Sequence, residues 1–173
     1  MLVGVNVQSF TTDFTFQLTN AVADGITFII QNNSATLLGP AGGGLGYGPS
    51  LPSGSGQTGI PNSVAVKFDL YNNAGEGNDS TGFHSNGASP TVPATDLSNT
   101  GISLHSGDIF AVHLVYDGTT LTMTITDTVT NATFTTSTAL NIPGVVGGPW
   151  SPRKSPAGPT AINPHATNTG SRI

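Results

Sequence analysis

The chain has 173 residues and a net charge of -5, and only 8% of its residues are charged. Three of the four cationic residues lie beyond position 150, so the preceding sequence carries no basic patch that could bind nucleic acid. Cysteine is absent, which excludes a disulfide framework and thiol chemistry, and no apolar run approaches the length of a membrane span. The N-terminal segment also lacks the basic start and long apolar region of a signal peptide.

The first half of the chain predicts two strands and a glycine-rich loop. Residues 13–20 alternate Phe and Leu with polar residues, which is typical of a half-buried antiparallel strand. Residues 25–31, GITFIIQ, form a continuous apolar run and predict a central strand covered on both faces. Residues 39–59 are too rich in Gly and Pro to form a long strand.

A third predicted strand ends in a loop dense in oxygen-bearing side chains. Val64, Val66 and Phe68 share one face of this strand, and Asp69 follows directly. The loop then carries four candidate oxygen ligands: Asn73, Glu76, Asn78 and Asp79. Carboxylate, amide and backbone oxygens are the ligands that calcium prefers, although an Asx-rich surface turn explains the same residues equally well. The spacing does not match an EF-hand.

The remaining strands complete an all-β pattern. Residues 109–116, IFAVHLVY, are mostly apolar on both faces and predict a central strand. Asp117-Gly118 is a hairpin signal, and residues 121–136 alternate apolar residues with Thr over two strands joined near Thr130-Asn131. No helical periodicity is present. We therefore expect a β-sandwich over residues 1–146 and a Pro-rich tail over 147–173 from which no sandwich strand can be built.

Three motifs occur in the order and spacing of a known family. Asp24-Gly25 precedes the apolar strand, GGGLGYG follows at 42–48, and VAVKFDLYNN occupies 64–73. Over about residues 5–143 the chain resembles the legume-type (L-type) lectin domain, especially its bacterial relatives. The resemblance implies a concanavalin-like jelly-roll sandwich of antiparallel sheets that binds saccharides without chemistry, so that the protein is not an enzyme. It also implies a secreted or cell-surface location.

The resemblance further implies a calcium ion beside the third strand. Carried over by position, its ligands are Asp69, the backbone carbonyl of Tyr71, the Asn73 side chain and Asp79. The loop length differs from the family pattern, so Asn78 or Glu76 could take the place of Asp79.

A second, transition-metal site is implied by the family but is predicted to be lost. Its Glu position holds Lys67 and its His position holds Ser80. A lysine ammonium would repel a metal ion a few ångströms away. The nearby His84 lies beyond the matching position and is expected to be exposed to solvent.

The resemblance also implies a saccharide site next to the calcium ion. Its residues are Asp24, the backbone N–H of Gly43, Asn73 and the Tyr71 ring. A carboxylate accepts hydrogen bonds from sugar hydroxyls, amide groups donate to the same oxygens, and a ring packs on the C–H face. In the family the peptide bond before this Asp is cis and depends on the calcium shell, so calcium and saccharide binding should be coupled.

The C-terminal residues depart from the family pattern. Family members continue beyond the region of 141–143 into further strands and a specificity loop, whereas residues 147–173 hold Pro, Arg, Ser and His in no strand pattern. We therefore expect a sandwich that is incomplete at both ends, with a tail that resembles a shifted reading frame. Such a domain could also be a structural or adhesion spacer without a ligand. A glycoside hydrolase is disfavoured because Glu76 is the only Glu.

Overall fold

The computed structural model describes residues 6–34, 36–49 and 56–147, together with the backbone of 161–163. Its strands in chain order are β1 (Phe10–Gln17), β2 (Gly25–Gln31), β3 (Ser63–Asp69), β4 (Ser80–Ser85), β5 (Thr95–Asp96), β6 (Ile109–Tyr116), β7 (Thr120–Asp127), β8 (Thr133–Ala139) and β9 (Ala161–Asn163). A short 3-10 turn spans Gly42–Gly44, and one helix, α1, spans Ile142–Val146.

These strands form two sheets. One has four strands in the order β1-β6-β7-β8, and the other has five in the order β5-β4-β3-β2-β9. Every strand pair within the described residues is antiparallel. The predicted all-β sandwich of antiparallel sheets is therefore confirmed.

The main core lies between the two sheets and is built by alternation along the strands. In β7, Leu121, Met123 and Ile125 are fully buried, and the Thr residues between them face outward. Phe14 stacks on Phe28 across the core with ring centroids 4.9 Å apart. Aromatic side chains bury large apolar areas, so such cross-sheet contacts contribute strongly to holding the sheets together.

The prediction that residues 109–116 form a central strand is confirmed. β6 is central within its sheet, since it pairs with β1 and β7. Its burial alternates, with Phe110 buried and Ile109 45% exposed. The outer face of β6 therefore keeps partly exposed apolar residues, and single exposed aliphatic side chains do not require a covering layer.

The prediction that the tail contributes no sandwich strand is wrong at one point. β9 extends the five-stranded sheet by pairing with the segment Ile29–Gln31 at the free edge of β2. An open strand edge offers backbone N–H and C=O groups to any extended segment, so pairing of this kind needs no apolar alternation. The division of the chain at residue 146 stays a prediction.

The helix α1 is a single capped turn. The Asn141 side chain accepts a hydrogen bond from Gly144 N at 3.0 Å, and Gly147 ends the helix with a left-handed conformation. Five residues are too few to show helical periodicity in the sequence. Within the described residues, no helix has the length and apolar character required to cross a membrane.

Candidate functional site

The candidate site lies where three strand ends meet at one end of the five-stranded sheet. The register pairs Gly25 of β2 with Asp69 of β3, and Asp69 with Ser80 of β4. Beyond the last paired residues, Leu70 N donates a hydrogen bond to the backbone oxygen of Asp24 at 2.7 Å. The sheet thus brings two motifs that are far apart in sequence into direct contact.

Asp24 stands at the entrance to β2 on a tightly constrained backbone. The Ala23–Asp24 peptide bond is cis, as the family resemblance implies. At Gly25, φ is +145°, and a Cβ atom would lie 2.3 Å from the backbone oxygen of Phe68, so only Gly fits this position. The Asp24 side chain is partly exposed, and burial raises its pKa. Its carboxylate is therefore held in place yet accessible to a ligand.

The glycine-rich loop is fixed beside this carboxylate. Thr27 Oγ1 in β2 donates a hydrogen bond to the backbone oxygen of Leu45 at 3.0 Å, and Gly43 is buried in the 3-10 turn. A Cβ atom on Gly42 would lie 3.6 Å from Asp24 Oδ2. The turn that carries Gly43 is thus a direct neighbour of the Asp24 carboxylate.

The loop after β3 presents the other two predicted saccharide residues. Tyr71 and Asn73 are both exposed, and 49% of Tyr71 is accessible. Tyr71 N donates a hydrogen bond to Asp69 Oδ1 at 3.1 Å, which ties the start of the loop to the end of the strand. All four predicted saccharide residues therefore lie on segments that meet at this end of the sheet.

Asp69 is also paired with a lysine in a buried position. Lys67 is fully buried, and its Nζ lies 3.0 Å from Asp69 Oδ2 and 2.7 Å from the backbone oxygen of Thr91. Burial raises the pKa of Asp69; the Lys67 charge and the hydrogen bonds from Lys67 and Tyr71 oppose this shift, and the Glu76 charge adds to it. Each oxygen of this carboxylate accepts one bond and keeps lone pairs for a further ligand.

The residues at the family's transition-metal position do not fit a metal ion. The Lys67 ammonium lies directly against Asp69, and Ser80, at the predicted His position, is fully buried. Ser80 Oγ has no hydrogen-bond partner among the described residues. A cation brought here would meet a positive charge within contact distance, which supports the prediction that this second site is lost.

The expectation that His84 is exposed is wrong. His84 is 6% exposed, because β4 pairs it with Ala65, which packs against Ile29 and Tyr47 under the loop that covers this face. Burial and, secondly, the positive charge of Lys67 lower the pKa of His84 to about 4, so the ring is neutral at pH 7. Its Nε2 has no hydrogen-bond partner within the described part of the chain.

Asp79 and Glu76, the two acidic candidate ligands of the loop, differ in their hydrogen bonds and in their burial. Asp79 Oδ1 accepts hydrogen bonds from Leu104 N at 2.7 Å and lies 3.1 Å from His105 Nδ1. Glu76 is only 3% exposed, and its Oε1 has no partner among the described residues. No group of three or more His, Cys, Asp or Glu side chains in the described ranges is arranged to hold a metal. Calcium also accepts amide and carbonyl oxygens, so a site with two carboxylates remains compatible with these residues.

The burial of Glu76 and the contact with Thr91 were not predicted from the sequence. Glu76 is the only Glu and stands between two glycines, Gly75 and Gly77, both with positive φ. That flanking pattern was the available signal, because glycines on both sides let the backbone turn a side chain inward. The contact between Lys67 and the Thr91 backbone carbonyl could not be predicted, because every residue has a backbone carbonyl and residue type does not show which one is used.

A separate shallow cavity lies on the other sheet. It has a volume of about 370 Å³, and its lining includes Asp13, Thr15 and His113. His113 Nδ1 lies 2.6 Å from Asp13 Oδ1, and both side chains are largely exposed. None of the predicted site residues lines this cavity.

The fold and the arrangement of the site define a concanavalin-like jelly-roll sandwich, and comparisons with known proteins identify its family. The sequence profile of the legume lectin domain matches residues 3–147. The chain therefore belongs to the legume lectin domain family.

Two curated proteins are similar to part of the chain. An uncharacterized protein of Acidianus filamentous virus 2 (isolate Italy/Pozzuoli) is 29% identical over 136 residues, which cover 74% of this chain and 30% of that protein. An L-type lectin-domain containing receptor kinase of Arabidopsis thaliana is 33% identical over 124 residues, covering 68% of this chain and 16% of the kinase. The chain thus spans less than a third of the length of either relative.

Solved lectin structures share the fold. The basic winged bean lectin with Tn-antigen has a TM-score of 0.61 and 24% identity, covering 82% of this chain and 57% of that chain. The lectin from Bauhinia forficata in complex with GalNAc has a TM-score of 0.61 and 21% identity, covering 86% of this chain and 65% of that chain. At these identities the likeness is evidence for the fold alone.

Proposed function

We propose that this domain is a calcium-dependent carbohydrate-binding module. The observation that carries the proposal is the meeting of the Asp24 carboxylate, the Gly42–Gly44 turn and the loop after Asp69 at one end of one sheet. Family membership and structural neighbours with saccharide ligands support the same class of partner. The proposed activity is binding without chemical conversion, in a protein that is secreted or displayed at a cell surface.

Each residue at the saccharide site has a role that follows from its chemistry. The Asp24 carboxylate accepts hydrogen bonds from two sugar hydroxyls, and Gly43 N–H and the Asn73 amide donate to the same oxygens. The exposed Tyr71 ring packs on the apolar C–H face of the sugar. Because Asp24 is partly buried, its bonds to a ligand form in a less polar environment than water and gain strength.

Calcium would be held next to this site by oxygens of the loop after β3. Asp69, the backbone carbonyl of Tyr71 and the Asn73 side chain supply three ligands, and a fourth comes from the segment 76–79. When bound, the ion supplies positive charge to Asp69 and fixes the exposed loop that carries Tyr71 and Asn73. Tyr71 and Asn73 are then already ordered when the sugar binds, and this lowers the entropic cost of binding. No transition metal is part of the proposal, because Lys67 and Ser80 occupy the positions of the family's Glu and His ligands for that metal.

The test combines a glycan array with calorimetry on the purified chain, with calcium and with chelator. We expect glycan binding that requires calcium. Asp24→Asn should weaken it about 100-fold or more, because two bonds to a charged acceptor are worth roughly 1.5 to 3 kcal/mol each. Asp13→Asn, on the opposite sheet, is the control and should bind as the wild type does.

The outcomes separate the competing functions. Glycan binding that persists unchanged in Asp24→Asn would show that the proposed saccharide site is wrong. A wild-type protein that binds calcium but no glycan would support the alternative of a structural or adhesion spacer. Binding that is indifferent to chelator would refute the calcium dependence.

A further inference from the structure

Glu76 is buried on a loop that is otherwise exposed. The four preceding residues, 72–75, are all exposed, whereas Glu76 is 3% exposed. Gly75 and Gly77 adopt φ values of +98° and +93°, and these left-handed turns direct the side chain between them inward. The loop therefore places its carboxylate beneath its own backbone.

One oxygen of this buried carboxylate lacks a hydrogen-bond partner in the ranges that the structure describes. Glu76 Oε2 accepts a hydrogen bond from Ala74 N, while Oε1 has none among the described residues. An unpaired carboxylate oxygen away from water is strongly unfavourable, so such atoms in native proteins usually contact a ligand, an ion or water. Oε1 is thus available to bind an ion, and the fold fixes its position.

The charges around Glu76 do not balance within the described part of the chain. Glu76 is 3% exposed and Asp69 is 1% exposed, and the loop that carries Glu76 begins directly after Asp69 at the end of β3. The Lys67 ammonium, the cation in contact with Asp69, is already bonded to Asp69 and to the Thr91 carbonyl. Two buried carboxylates and one ammonium leave a negative charge that a divalent cation would compensate.

One side-chain oxygen of Asp79 is already bonded to another part of the chain. Its Oδ1 is the acceptor for Leu104 N at 2.7 Å and lies 3.1 Å from His105 Nδ1, and its backbone oxygen accepts from Leu97 N at 2.8 Å. These bonds tie the start of β4 to the segment 97–105. Asp79 therefore closes a turn and does not share the orphaned position of Glu76.

We propose that Glu76, and not Asp79, is the second carboxylate ligand of the calcium ion, in addition to Asp69. This inference rests on the proposed calcium binding. The altered loop length leaves open which loop residue takes the position of the second carboxylate ligand, and the inference assigns that position to Glu76. Asp69 at the end of β3 and Glu76 in the following loop would both hold the ion, with the Tyr71 carbonyl and Asn73 between them in sequence.

The experiment compares two isosteric variants by calorimetric titration of calcium chloride into the chelator-treated full chain. Glu76→Gln should weaken calcium binding at least about tenfold, since ligand charge sets calcium affinity. Asp79→Asn, the matched control, should bind calcium within about twofold of wild type. Glu76→Asp keeps the charge but shortens the side chain, and it should fall between Glu76→Gln and wild type.

A stability measurement separates a ligand from a merely structural residue. In chelator, Glu76→Gln should melt no lower than wild type, because it removes an uncompensated buried charge; with calcium it should gain less stability than wild type. Unchanged calcium affinity in Glu76→Gln, or an equal loss in Asp79→Asn, would overturn the assignment while leaving the proposed function intact. Absence of calcium binding by wild type would overturn both.

Discussion

Lys67 Nζ lies 3.0 Å from Asp69 Oδ2, and the two side chains are 0% and 2% exposed. The residues are two apart on β3, so they point to the same face of the sheet, where β4 places Gly82 opposite Lys67. A Cβ atom on Gly82 would lie 2.8 Å from the Pro93 carbonyl oxygen, so this face is closed around the pair. The protein thus supplies its own cation to Asp69 before any metal binds.

Breaking this pair from one side should be costly. Lys67→Met leaves the Asp69 carboxylate buried without its counter-charge, and we expect a loss of about 3 to 5 kcal/mol in the free energy of unfolding in chelator. Urea unfolding of Lys67→Met, Asp69→Asn and the double variant measures the coupling. The exposed pair of Asp13 and His113 is the control, and Asp13→Asn should change stability little.

The free energy of unfolding of the double variant shows whether Lys67 and Asp69 are energetically coupled. If Lys67 and Asp69 act as a unit, the double variant should be more stable than the sum of the single losses predicts. Additive losses in the free energy of unfolding would mean that the contact between Lys67 and Asp69 contributes no coupling energy. Lys67 would then contribute only by filling its buried position.

The same lysine should exclude a transition metal. In protein saturated with calcium, added Mn²⁺ should stay in solution, because the Lys67 ammonium repels a second cation beside Asp69. Electron paramagnetic resonance of free Mn²⁺ makes the measurement, since bound Mn²⁺ loses its sharp signal. Stoichiometric loss of the signal would contradict the prediction that this site is lost.

His84 should make the metal-free protein less stable in mild acid. The pKa of His84 falls from 6.5 to about 4 on folding, so the unfolded chain binds more protons between these values. The His84 contribution to the free energy of unfolding should therefore fall as the pH drops, by about 1.5 kcal/mol between pH 6.5 and 5. Asp24 and Asp69 have raised pKa values, so their contributions have the opposite sign.

A variant isolates the contribution of this histidine. His84→Leu keeps a side chain of similar size and removes the titrating ring, while Asp24, Asp69 and Lys67 remain. Denaturant unfolding across this pH range should show a smaller decline in the variant than in wild type. Equal declines in both proteins would show that His84 does not carry the effect.

Strand prediction succeeded where one face of a strand meets the main core. β7 alternates buried apolar residues with Thr, and this period of two is visible in the sequence. β4 was not predicted, because Ser80, Thr81 and Gly82 are polar or small yet fully buried. Ser80 and Gly82 lie on the face that carries Asp69 and Lys67, which loops cover, and burial by irregular segments leaves no periodic signal.

The sequence predicted only those parts of the site that lie within the three family motifs. The segments around Asp24, Gly43 and Asp69 were identified from their order in the chain, and the structure places them at one end of a sheet. The roles of these residues stay predictions. The burial of Glu76 depends on backbone turns whose only sequence signal is the pair of flanking glycines, and the burial of His84 depends on a loop packed over β4, which has no such signal.

Two glycines in the same loop provide a matched test of the saccharide site. Gly42 and Gly46 have nearly equal φ values of +69° and +71°, so substitution by Ala should strain the backbone similarly, by about 1 to 2 kcal/mol. A Cβ atom on Gly42 would lie 3.6 Å from Asp24 Oδ2, whereas one on Gly46 would have no atom within 4 Å. The two substitutions therefore differ chiefly in whether a methyl group faces the carboxylate.

Gly42→Ala should weaken glycan binding about tenfold, because a methyl group in a fitted contact costs roughly 1 to 3 kcal/mol. Gly46→Ala should bind glycan as wild type does, and both variants should keep wild-type calcium affinity. Thermal melting verifies that the two proteins lose similar stability, and calorimetry with the glycan selected on the array measures binding. Equal glycan affinity in the two variants would show that a saccharide does not enter between the Gly42–Gly44 turn and Asp24.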